Sequence, residues 1–270
     1  MPMRLAAVFA VVLGSLAAIS AQAVQGDNKP ITKAKATPVP TPQKLDPKTM
    51  SAEQAAEVSI LAYGVRERLN QIRKTTLEVG TTSYTGADGK TDTAKYQRFI
   101  IRGDTIGKEK IRLDQQFSNA RYSLLYNSGT ISGVYDNTVF TPRDDVAKAF
   151  ENQIVHGIET LLRYKENGST VAIASRDKVM GVDYIILDVT DKQDRKTRFY
   201  VSTKTYRVMI LEYDEGGVHY KRKFYDYNYA QGTLVPFRTV LWANDKQVEE
   251  TNIGTVTFGQ KVDDGLFNAG

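Results

Sequence analysis

The sequence predicts a mainly β protein of the α+β class, an antiparallel sheet accompanied by two substantial helices. Three observations predict it. About a dozen short runs are rich in β-branched and aromatic residues or alternate apolar with polar. Gly, Asn and Asp stand between most of these runs at turn spacing. Only two stretches carry apolar residues every three or four positions. Many strands on short connections argue a sandwich or barrel rather than parallel βαβ units.

The first helix opens on Ser51 and Gln54, spaced as a capping box, and repeats Val58, Leu61, Ala62, Val65, Leu69 and Ile72 along one face. Strand patterns follow over Leu77 to Tyr84, Lys95 to Arg102, Glu109 to Phe117, Ala120 to Asn127, Ile131 to Tyr135 and Thr138 to Thr141. Asp88-Gly89 supplies a hairpin turn between the first two. Alternation groups Leu77 and Val79 with Phe99 and Ile101, then Ile111 and Leu113, then Tyr122 and Leu124, as one dry face. Arg98, Arg102, Lys110 and Arg112 fall on the other, which reads as wet.

The second helix has Thr141 as cap, Pro142 in its first turn and Asp144 and Asp145 at the positive end of its dipole. Its stripe is Val146, Phe150, Ile154, Ile158, Leu161 and Leu162, and Asn167-Gly168 ends it. Strands resume over Thr170 to Ala174, Val182 to Thr190, Thr197 to Val201, Tyr206 to Tyr213, His219 to Tyr229, Phe237 to Ala243 and Val248 to Phe258. Tyr184-Ile185-Ile186-Leu187 and Val208-Met209-Ile210-Leu211 are apolar on both faces, so those strands need cover on both sides.

The N-terminus reads as an export signal: Arg4, an apolar stretch from Leu5 to Ile19, then Ala21-Gln22-Ala23 with cleavage after Ala23. Residues 24–49 carry Pro30, Pro38, Pro40, Pro42 and Pro47 among lysines and read as a disordered Pro/Lys-rich tether. That leaves 50–270 as one domain and a periplasmic address. The chain contains no cysteine, so neither a disulfide nor a lipidated cysteine is available. Formal net charge is +5, and losing Arg4 with the signal leaves a mildly basic protein whose surplus reads as ordinary surface charge.

Little in the sequence points to catalysis. His156 and His219 are the two histidines, without metal-ligand spacing, and neither a metal nor a cofactor is expected. No serine sits in a Gly-x-Ser-x-Gly elbow, and the carboxylate pairs Asp144-Asp145, Glu249-Glu250 and Asp263-Asp264 are adjacent, which directs partners to different sides. The tract from Tyr220 to Tyr229 mixes basic and aromatic residues as single-strand nucleic-acid binders do, but it reads better as a half-buried strand with a basic outer rim, and export argues against a nucleic-acid partner.

The succession of export signal, helix, meander, inserted helix and second meander resembles the outer-membrane lipoprotein carrier superfamily typified by LolA. Arg68-Leu69 with Ile72, Gly181 to Leu187, Thr197 to Val201, Tyr206 to Val208, Phe224 to Tyr227, Leu234 to Phe237 and Asp263 to Phe267 carry the likeness. The aromatic-Gln start that follows the first helix in the carrier proper is replaced by Leu77 to Thr81. The resemblance implies a half-open β-barrel of about 11–12 strands, strongly curved, with amphipathic helices as a lid. It implies a non-enzymatic binder of lipid or lipoprotein acyl chains, monomeric, not stably inserted in a membrane, and dealing with inner- and outer-membrane protein partners. The hydrophobic cavity it implies would be lined by Leu77, Val79, Phe99, Ile101, Ile111, Leu113, Leu124, Ile185, Leu187 and Phe199. Leu69, Phe150, Ile154, Ile158 and Leu161 would form the lid. An envelope-stress sensor or protein-binding scaffold on the same fold, and a small hydrolase using a histidine, are the rival readings.

Overall fold

The computed structural model describes residues 45–268; the expected export signal and residues 24–44 of the expected tether lie outside them. Residues 45–49 form a turn whose Pro47 carbonyl accepts a hydrogen bond from Arg176 at 2.9 Å.

The first helical region is two helices rather than one, α1 (Ala52–Tyr63) and α2 (Arg66–Ile72). The capping box forms, with Ser51 Oγ accepting from Gln54 N and Gln54 Oε1 accepting from Ser51 N. Gly64 causes the break: its φ of 146° belongs to a region that L side chains rarely adopt, and its N–H closes α1 on the carbonyls of Ile60 and Leu61. The buried face of α1 is also not the predicted one. Ala55, Ala56, Ser59, Ile60 and Tyr63 face the core, while Leu61 and Val65 of the predicted stripe are exposed.

The chain then runs through β1 (Thr75–Thr85), β2 (Thr91–Ile101), β3 (Lys110–Gln116), β4 (Arg121–Asn127), β5 (Thr130–Tyr135) and β6 (Thr138–Phe140). The inserted helix is also split, into α3 (Asp144–Val155) and α4 (Glu159–Leu162), and its cap position is Arg143 rather than Thr141. Seven more strands complete the sheet: β7 (Thr170–Val179), β8 (Val182–Thr190), β9 (Lys196–Ser202), β10 (Val208–Glu215), β11 (Val218–Ala230), β12 (Thr233–Ala243) and β13 (Lys246–Phe258). The sheet is a single, curved, unclosed antiparallel layer of 13 strands in the order β6-β5-β4-β3-β2-β1-β13-β12-β11-β10-β9-β8-β7. Each of the thirteen strands falls on one of the strand patterns read in the sequence, a little above the 11–12 that the resemblance implies.

This order fixes where the helices go. The chain walks outward from the middle of the sheet to β6, must cross to the far edge to begin β7, and walks back to the middle. The α3–α4 connection is that crossing, so it passes over a face of the sheet. Irregularities at Val79/Gly80, Ile173/Ser175, Val208/Ile210 and Leu241/Trp242 bend the strands. At the first of these Gly80 is required, because a Cβ there would stand 2.2 Å from the Asn252 carbonyl oxygen.

Two apolar clusters fill the concave side. One joins α1 and α4, through Ile60, Tyr63 and Leu161, to β8–β10 residues such as Leu187, Phe199 and Leu211. The other sets Phe150, Ile154 and Val155 of α3 on Tyr96, Ile111, Leu113, Leu124 and Tyr126. The C-terminal turn Asp264–Phe267 packs on the opposite, convex face of β3 and β4, with Arg112 Nη1 donating to the Leu266 carbonyl at 3.0 Å.

Candidate functional site

Between the two clusters, under α3 and the start of α4, a half-open cavity of about 190 Å³ lies on the sheet. Its apolar wall includes Ile100, Ile111, Phe150, Ile154, Ile158 and Phe258. Its floor is different, because β1 and its neighbours present polar residues inward. Thr76 and Glu78 of β1 line the cavity, and the hairpin register sets Glu78 opposite Arg98 and Thr76 opposite Ile100.

That register overturns part of the sequence reading. Side chains alternate along a strand, so Leu77 and Val79 point to the convex face, as do Phe99, paired with Leu77, and Ile101. They do not line the cavity. Arg98 and Arg102, read as wet, face inward and line it. Of the other predicted cavity residues, Ile111 lines the space, whereas Leu113 and Leu124 lie on the same concave face beneath α3, already covered. Ile185, Leu187 and Phe199 are wholly buried in the α1 cluster and do not reach the cavity. Among the predicted lid residues Phe150, Ile154 and Ile158 line the cavity, while Leu69 and Leu161 seal the neighbouring cluster.

The inward charges form one chain of partners. Glu78 Oε1 lies 3.6 Å from Arg98 Nη1 and accepts the Tyr96 hydroxyl at 2.7 Å. Arg222, which the sequence placed on a basic outer rim, points inward and donates to Glu249 Oε1 at 2.9 Å and to Thr239 Oγ1 at 3.2 Å. Gln153 of α3 joins the two pairs. Its amide oxygen accepts from Arg98 Nη2 at 2.9 Å, and its amide nitrogen donates to Glu249 Oε2 at 3.1 Å. An amide is both donor and acceptor, so one side chain ties the crossing helix to a guanidinium and to a carboxylate at once.

A second charged group stands where the cavity meets α4. Glu159 Oε1 lies 2.8 Å from Arg73 Nη1 and 3.0 Å from Arg102 Nη2. Glu109, 2% exposed, accepts Arg102 at 3.0 Å and is also paired with Arg163. Burial raises the Glu159 carboxyl, but the guanidiniums of Arg102, Arg73 and Arg163 outweigh it and hold the group below the usual carboxylate value.

The histidines lie elsewhere. His156 is stacked on Tyr213 with centroids 4.0 Å apart, and its Nδ1 is 2.7 Å from Thr197 Oγ1. Burial first, then Arg195, lowers its pKa to about 4, so it is neutral at neutral pH. His219, on the surface, pairs with Asp214 at 2.8 Å. Both border a polar pocket without a serine, threonine or cysteine in its lining. The inward charged residues were missed because charge was read as a sign of water. The signal that would have found them is cross-strand: a hairpin centred on Asp88-Gly89 sets Glu78 against Arg98, an opposite-charge pair able to share a covered face.

No protein-family model matches the chain, and no curated protein matches it either. Solved structures do. A DUF1329 family protein from Desulfovibrio piger superposes with a TM-score of 0.58 at 12% identity, over 82% of this chain and 98% of that one. A LolA superfamily protein from Nitrosomonas europaea superposes with a TM-score of 0.56 at 14% identity, over 81% and 98%. The architecture defined by the strand order and the crossing helices is therefore a LolA-like fold.

Proposed function

We propose that this protein is a non-enzymatic, periplasmic binder and carrier of acyl chains, borne by a lipid or a lipoprotein, with its concave cavity as the receiving site. The observation that carries the reading is the cavity under α3: a half-open, largely apolar space roofed by a helix that rests on the sheet through Phe150, Ile154 and Val155 and through two replaceable hydrogen bonds of Gln153. A cavity of about 190 Å³ is only somewhat larger than one of ~150 Å³ that accepts benzene. A short chain segment fits as the site stands, and a longer chain has to take over the surface that Phe150 and Ile154 now occupy.

Such competition suits a carrier. Each buried methylene contributes about 0.8 kcal/mol, so a site open along a whole chain would hold its cargo too tightly to release it. A helix that binds the same surface subtracts its own contacts from that total. The export signal expected from residues 1–23 and the LolA-like fold support the envelope as the place of action. Protein purified gently from its native envelope should carry co-purifying lipid detectable by mass spectrometry, and delipidated protein should bind a fluorescent fatty acid. A folded sample that does neither ends the proposal.

A further inference from the structure

Beside the cavity, on the far side of Arg73, Arg102 and Glu159, lies a second pocket of about 460 Å³. These three residues line both spaces and so form the wall between them. The outer pocket is basic. Arg66, Arg73, Lys74, Arg102 and Arg163 border it, against the carboxylates of Asp104, Glu159 and Glu166.

Most of these cations are already engaged. Arg66 bridges Glu57 and Glu166, each at 2.8 Å. Arg163 pairs with Glu109 and donates to the Gly103 carbonyl at 2.6 Å. Arg102 serves Glu109, Glu159 and the Arg73 carbonyl. Lys74 is exposed and makes no ion pair among the described residues.

Arg73 is the exception among the buried ones. It is 8% exposed, yet its Nε and Nη1 have no hydrogen-bond partner among the described residues. Its one carboxylate contact, Glu159 at 2.8 Å, is out of line for a hydrogen bond. Burial drives the guanidinium below the usual arginine value in spite of Glu159. Around the wall three buried guanidiniums, Arg73, Arg102 and Arg163, face two carboxylates, Glu109 and Glu159, so one positive charge is left over in a covered site. An uncompensated buried charge is costly, and an added anion with free lone pairs relieves it. The Arg73 guanidinium also stands 5.2 Å from the ring centroid of Phe258, which is part of the apolar wall of the cavity. Charge and grease thus meet at one residue.

We propose that the outer pocket receives the anionic head, phosphate or carboxylate, of an amphiphile whose chain passes Arg73 into the cavity. This deepens the acyl-chain reading and rests on it. Both acids offer the planar or forked acceptor that a guanidinium matches with two donors. A neutral or cationic head would leave Arg73 Nε and Nη1 without the hydrogen-bond acceptor they lack, so the site selects by sign.

Titration calorimetry on the delipidated full chain, with decyl phosphate, decanol, decyltrimethylammonium and inorganic phosphate, tests this. Decyl phosphate should bind about tenfold more tightly than decanol, and decyltrimethylammonium more weakly than either. Arg73→Met should abolish the preference while leaving decanol affinity in place, and Arg73→Lys should keep part of it. Lys74→Met, at an exposed side chain that places no burden on folding, should lower decyl phosphate affinity by a smaller factor. Equal binding of decyl phosphate and decanol overturns the proposal, as does a preference that survives in both methionine variants. Inorganic phosphate binding as tightly as decyl phosphate overturns it in favour of a free-anion site. Failure of decanol and decyl phosphate alike brings down the acyl-chain reading itself.

Discussion

The two covered halves of the sheet are built from the same parts and differ in what they bury. Under α1 the strands present Ile185, Leu187, Val189, Phe199, Val201, Val208 and Leu211, all at 0% exposure, with almost nothing polar between them. Under α3 the sheet presents Glu78, Arg98, Arg222 and Glu249 beside isoleucines and phenylalanines, and the packing stops short of filling the space. The lesson is that sealing and adaptability are kept apart. Close-packed apolar groups cost free energy whenever they separate, so the α1 half is a fixed scaffold. The α3 roof is held by a smaller apolar cluster together with the Gln153 hydrogen bonds, which water can replace, so the α3 half is the one with more freedom to rearrange.

The largest effect should come from breaking the sealed half. Phe199→Ala is expected to cost about 4 kcal/mol in denaturant unfolding, with no gain in binding of a fluorescent fatty acid. Phe150→Ala, in the roof, should destabilise by about 3 kcal/mol and raise probe binding, because the space it vacates adjoins the cavity. Equal probe binding by the two variants would show that the halves do not differ in this respect.

Next in size is the buried pair in the adaptable half. Arg222→Met leaves Glu249, whose side chain is 8% exposed, with a single strong partner and should cost about 3 kcal/mol. Adding Glu249→Leu should restore most of the loss, since an apolar pair of similar volume has no charge to desolvate. A double variant as unstable as the single one would mean that the network does more than satisfy itself.

The smallest expected effect concerns acid. His156, buried beside the sealed cluster's Tyr213, has a folded-state pKa lowered to about 4 from 6.5. With the folded value depressed, its contribution is intact above the unfolded pKa and is lost as pH falls through the window toward the folded one. Between about pH 6.5 and about pH 5 this amounts to roughly 2 kcal/mol. Thermal unfolding of His156→Gln across that range should show a shallower pH dependence than the parent protein, and identical slopes would exclude His156 as its source.

Strand alternation and turn residues were enough to read the strands and their antiparallel succession from the sequence, because they are local, whereas the open, curved sheet was implied only by the resemblance. The Asp88-Gly89 hairpin and the capping box at Ser51 and Gln54 lie where their residues predict. Ile111, Leu113 and Leu124 fall on the concave face for the same reason. The site was less legible because facing is decided at a distance. Leu77 and Phe99 have the alternation of a core face, yet the convex side accepts them, where the C-terminal turn covers the neighbouring strands, and the concave side takes Glu78 and Arg98 because Gln153, far along the chain, meets them there. Arg73 follows a short helix with nothing local to announce that it will be buried.

The seam between β1 and β13 has a kinetic consequence. Thr76 stands opposite Phe258, so the middle of the sheet joins the first strand made to the last. Each meander can pair its own neighbours early through short loops, but the central ladder requires nearly the whole domain to be present, a long closure that slows folding. Until β13 arrives, β1 and β12 are both unpaired edges, the arrangement most open to pairing with the wrong chain. A domain of this order therefore completes its sheet only when the C-terminal strand is free to enter it.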